Sequence, residues 1–161
     1  MTPTTLGEPV PAALLEPLVL RLAPEAVPCG FPSPSQNYFS GELDLGERLI
    51  RDRASTFIWQ ASGHSMTGAG IHDGDLLLVD RGVTPVRGHV VVAVVDGEYT
   101  VKRLDSVDGR AVLRADSPDH PDVLLDEHSE LTVWGVVIWS IHSTAAPIPG
   151  GRPSGSSARR G

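Results

Sequence analysis

The stretch "VVVAVVDGEYTVKRL", residues 90–104, constrains the fold more than any other part of the chain. Its valines are stiff at χ1 and favour extended backbone. Asp96-Gly97 is a preferred pair for a two-residue type I′ hairpin loop, because both central positions need positive φ. With those two residues as the loop, Val95 faces Glu98, Ala93 faces Thr100 and Val91 faces Lys102. Lys102 then shares a face with Val91, Ala93 and Val95, in mid-strand rather than at a loop tip.

Further strand patterns surround this hairpin. "FIWQA" (57–61), "DLLLVD" (75–80), "RAVLRA" (110–115) and "LTVWGVVIWSIH" (131–142) are β-branched or alternating, with Gly, Pro and Asp turns between them. Short strands at this spacing predict a compact, mostly-β domain. "GELDLGERLI" (41–50) is compatible with a short helix. Residues 1–28 hold short apolar runs cut by proline, with room for a helical turn or two around 12–22, limited by Pro17 and Pro24. "CGFPSPS" (29–35) is a breaker cluster that must turn or extend. The last residues, "STAAPIPGGRPSGSSARRG", cannot bury a core and are expected to be disordered.

Charge narrows the function. Residues 1–30 carry −2, residues 31–143 carry −8 and residues 144–161 carry +3, which makes up the net charge of −7. An acidic body lacks the Lys/Arg surface that neutralises phosphates, so strong direct nucleic-acid binding is not expected. Cys29 is the single cysteine, which excludes an intrachain disulfide and a cysteine-based zinc site and fits a reducing cytoplasm. The longest apolar run, 90–95, is strand length and far below the ~20 residues that span a bilayer.

Lys102 is also the only lysine; the other twelve basic side chains are arginines. Burial among small apolar side chains disfavours the ammonium form. To act as a base near pH 7, its pKa must fall by about 3 from ~10.4, at a cost of roughly 4 kcal/mol. Arginine cannot serve that way, since it does not deprotonate in proteins. The plainer alternative is a stray lysine snorkelling to the surface of an arginine-preferring protein.

A base needs a nucleophile. "ASGHSMTGAGIHDGD" (61–75) follows a strand and is crowded with glycine, so it turns sharply and exposes backbone N–H groups. Ser65 lies in it, where Oγ can point outward beside an oxyanion hole. A simple polar turn is the alternative. "SGHSM", then "GDLLLVD", then "VVVAVVDGEYTVKRL" and "VWGVVIWSIH" together resemble the peptidase domain of the LexA/UmuD family of self-cleaving serine peptidases. "CGFPSPSQNY" looks like the processing site of its UmuD branch. The resemblance runs from about Val27 to His142.

That resemblance implies Ser65 as nucleophile, Lys102 as general base, and an oxyanion hole from the backbone N–H groups of His64 and Ser65. The scissile bond is Cys29–Gly30. It implies a small, highly twisted β domain over residues 30–143 that dimerises, a removable N-terminal arm over 1–29 and a disordered tail over 144–161. It further implies cleavage stimulated by a RecA–ssDNA filament. The processed dimer then serves a UmuC-like Y-family polymerase in SOS mutagenesis. No cofactor is called for.

Other readings fit less well. His72 belongs to a turn with Gly74 as pivot, and His120, His128 and His142 lack ligand spacing, so no metal is expected. His64 adjoins Ser65, but neighbours on a turn usually diverge. His89 begins a strand. Cys29 between Pro28 and Gly30 suits an extended substrate better than a nucleophile, and Pro28 biases Val27 toward extension. Thirty-four residues separate Gly30 from Ser65, ample for the arm to reach its own or a partner's site. A type I signal peptidase needs a membrane anchor, and a LexA-type repressor needs a DNA-binding domain before the cut; neither is apparent. A competing class is a binding module whose peptidase site is vestigial.

Overall fold

The computed structural model describes residues 10–11, 17–22, 29–30, 41–126 and 128–145. Most of the expected arm and nearly all of the expected tail lie outside those residues. Within them the chain is mostly β. The strands are β1 (Val10–Pro11), β2 (Val19–Arg21), β3 (Glu42–Asp44), β4 (Thr56–Gln60), β5 (Leu76–Asp80), β6 (Val90–Val95), β7 (Glu98–Val107), β8 (Arg110–Arg114) and β9 (Leu131–Ile141).

Seven strands form one antiparallel sheet in the order β1-β4-β5-β9-β6-β7-β8, and β2 pairs with β3 in a two-stranded sheet. The hairpin register is the one expected: Val95 pairs with Glu98, Ala93 with Thr100 and Val91 with Lys102. Asp96 and Gly97 have φ of 50° and 85°, the positive values a type I′ loop demands. The same dipeptide, Asp108-Gly109, joins β7 to β8 with φ of 51° and 77°.

Two expectations change. Residues 19–21 are a strand rather than part of a helical turn, because Leu20 pairs with Leu43 across a ladder with β3. A ladder satisfies backbone groups that a proline-limited helix would leave open. The helix expected in 41–50 shortens to α1 (Leu45–Leu49), since Glu42–Asp44 is taken into β3. Asp44 caps α1, accepting from the N–H groups of Gly46 and Glu47.

Alternation along the strands divides the core. Trp59, Leu77, Val79, Val92 and Val101 pack together with Met66 and Ile71 from the glycine-rich turn. Val91, Ala93, Leu113 and Val136 form a second cluster. The register puts Lys102 opposite Val91 of this second cluster. The turn that carries Ser65 and the strand that carries Lys102 are therefore anchored in the same cluster, by Met66 and Val101, while Leu104 of β7 packs on the second.

Candidate active site

Ser65 follows β4 in the turn 61–66 and precedes a 3₁₀ turn at Thr67–Ala69. Backbone hydrogen bonds fix its course. The Met66 carbonyl accepts from Ala69 and Ile71, and the Ser65 carbonyl accepts from the N–H of Asp116 at 2.9 Å. Gly68 N–H donates back to the Asp116 carbonyl at 2.6 Å. A Cβ at Gly68 would stand 2.7 Å from that carbonyl, so the approach needs glycine.

Lys102 comes from the middle of β7 and is only 7% exposed. Its Nζ lies 2.9 Å from Ser65 Oγ and donates to the Val101 carbonyl at 3.1 Å. Neither partner is a carboxylate, so the amine gains no ion-pair compensation from them. Burial pushes its pKa below the ordinary lysine value. The pair thus has hydrogen-bond reach and a base biased toward its neutral form, the two requirements for activating a hydroxyl.

The N–H groups of His64 and Ser65 meet no acceptor among the described residues. The His64 side chain is exposed. An open groove of about 720 Å³ runs past the pair, lined by His64, Ser65, Tyr99, Lys102, His120 and Val123 among others. Cys29 and Gly30 are exposed and do not line it.

One feature of this site escaped sequence reasoning. Arg103, next to the lysine, grips Asp116 through both Nε (2.8 Å) and Nη2. Asp116 in turn holds the Ser65 carbonyl and Gly68 N–H. The arginine beside Lys102 thereby positions the turn that carries Ser65. Arg103 was visible as a neighbour, but nothing near Asp116 in sequence marks it as a partner.

A second feature lies nearby. Gly74 has φ of +87°, as its role as a pivot required. The turn it makes places His72 beside Asp75 and His142, three residues with no recognisable ligand spacing in sequence.

The Peptidase S24-like family model matches residues 21–138, most of the chain. This chain belongs to the Peptidase S24-like family. It is 43% identical over 120 residues to Protein SamA of Salmonella typhimurium, covering 74% of this chain and 83% of that protein. It is 41% identical over 118 residues to Protein MucA of Escherichia coli, covering 73% and 80%. It is 34% identical over 128 residues to the LexA repressor of Photobacterium profundum, covering 79% and 64%. Membership of this family carries the coarse activity, peptide-bond hydrolysis by a serine peptidase. Among the described residues no helix is long and apolar enough to cross a membrane.

Proposed function

We propose that this S24-like peptidase cleaves its own Cys29–Gly30 bond with a Ser65–Lys102 dyad. The observation that carries the reading is the 2.9 Å approach of a buried lysine amine to a serine hydroxyl. In its neutral form Lys102 accepts the Ser65 proton, and Oγ attacks the Cys29 carbonyl carbon. The N–H groups of His64 and Ser65 receive the oxyanion. Collapse breaks the C–N bond as Lys102 returns the proton to the Gly30 nitrogen, leaving Cys29 esterified to Ser65. Water, deprotonated by Lys102, then hydrolyses the ester.

The arm must enter the groove for this to occur, since Cys29 does not line it in this structure. A RecA–ssDNA filament that favours the docked arm would accelerate cleavage by population shift. The product, starting at Gly30, would act as a homodimeric accessory subunit of a UmuC-like translesion polymerase in the SOS response. The likeness to SamA, MucA and LexA supports this context.

The test is incubation of the full chain at pH 7 to 10, with mass spectrometry of the products. The expected result is a cut after Cys29, faster at higher pH and with RecA, ssDNA and nucleotide, and absent in Ser65→Ala. A wild-type chain that stays intact under all these conditions overturns the peptidase reading and leaves a binding module.

A further inference from the structure

The serine–lysine chemistry makes no use of His72, Asp75 and His142. β5 and β9 pair Leu76 with Ile141 and Leu77 with Ser140, so the next step of the ladder brings Asp75 level with His142. The turn before β5 then folds His72 over the same carboxylate. The ligand atoms of the three side chains all lie within 4.8 Å of one another. The imidazole rings of His72 and His142 lie with centroids 4.6 Å apart, tilted by 38°. The side chain of Asp75 is 2% exposed and those of His72 and His142 are 47% and 46% exposed. A buried carboxylate thus lies beside two imidazoles that are each about half in solvent.

We propose that His72, Asp75 and His142 bind a borderline divalent transition ion such as Zn²⁺, with water at the fourth position. Two imidazoles and one carboxylate suit Zn²⁺, Co²⁺ or Ni²⁺, whereas Mg²⁺ and Ca²⁺ prefer all-oxygen sets. Ligand bonds of about 2.0–2.2 Å fit inside a cluster of this span once the imidazoles, half in solvent, rotate about their side-chain torsions. The carboxylate is already oriented by outer contacts: Oδ2 accepts from the His72 N–H at 2.8 Å and the Ser140 hydroxyl at 3.1 Å. Oδ1 faces His142 Nδ1 at 2.6 Å, the gap the ion would enter. The cluster adjoins the turn that carries Ser65, since Asp73 accepts from Gly63 N–H at 2.7 Å and Gly74 N–H donates to the Ala61 carbonyl at 2.8 Å. The ion would clip this turn to the end of β9.

The test is calorimetric titration of untagged Ser65→Ala protein with Zn²⁺ alone, so that self-cleavage and its failure do not enter. Co²⁺ absorption serves as a second readout of tetrahedral geometry. One ion per chain is expected, with His72→Ala and His142→Ala each weakening binding by about tenfold or more, and the double variant losing it. No binding at millimolar Zn²⁺, or binding that survives in the double variant, overturns the site. Binding lost instead in Cys29→Ser or His120→Ala also overturns it.

Discussion

At the residue scale the lysine explains itself through what burial does to an amine. The folded chain holds Lys102 with a lowered pKa, while the unfolded chain titrates near the ordinary ~10.4. Between those two values the unfolded state binds more protons, so stability rises with pH across that window. Lys102→Met removes the cost and is expected to raise Tm by about 2–4 °C at pH 7, with the gain shrinking toward pH 10. Calorimetric scans at both pH values check this. In the cleavage assay Lys102→Arg and Lys102→Ala are expected to lose the cut, because neither side chain can accept the Ser65 proton. A Lys102→Arg chain that cleaves normally would sink the general-base role.

Asp116 differs in kind, since in the proposed reaction it only holds the turn of Ser65 and never meets the bond. Asp116→Ala is expected to slow cleavage by about 10²-fold, the scale of an ångström misplacement. The pH midpoint of the cleavage rate stays where the wild type has it. A shifted midpoint would mean that Asp116 tunes the amine rather than positions the serine.

At the element scale the hairpins and their charge ties matter most. Gly97 at φ +85° sits where a side chain is strained, and Gly97→Ala is expected to cost about 1–2 kcal/mol in urea unfolding. The β7–β8 hairpin is tied by Asp105, which accepts from Arg114 Nε at 2.5 Å and from Arg87 Nε at 2.6 Å. The Arg114 hydrogen bond, with the Ser106 N–H and Arg87, holds the Asp105 carboxyl down to about 2. Its folded pKa is depressed, so its contribution is present above the unfolded value near 3.9 and fades as pH falls toward 2. Asp105→Asn is expected to flatten the loss of Tm between pH 4 and pH 2. An unchanged acid slope would show the tie to be without consequence.

The elements also show what was legible locally. The register of β6 on β7 was readable to the residue, because two contiguous segments and a two-residue loop fix it, although β7 runs on past Leu104 to Val107. The strand at 19–21 was not readable, because its partner at 42–44 lies across a proline-rich connection that carries no periodic signal. Likewise β1 is defined only by its pairing with Ile58 and Phe57 of β4.

At the scale of the whole molecule the question is how the arm reaches the groove. The proposed cleavage bond and the Ser65–Lys102 pair lie on separate parts of the chain, and Cys29 is exposed and does not line the groove. Cleavage is therefore expected to be limited by docking of the arm. Shortening the connection within residues 31–40 is expected to lower the rate while leaving the pH dependence unchanged. An accelerated rate in the shortened chain would count against docking as the slow step.

What the sequence determined by itself was the β class, the Asp-Gly hairpin and the position of Lys102 opposite Val91. These rest on period-two patterning and turn chemistry, both local. It also supplied the family resemblance, which named Ser65. Only the tertiary structure brought Ser65 Oγ to 2.9 Å from an amine 37 residues away. It alone fastened the Ser65 turn to Asp116 and gathered His72, Asp75 and His142. Those contacts depend on sheet order and on the pairing of β5 with β9, in which sequence-distant segments meet. Such pairings are set by how apolar faces close against each other, and no single segment records them.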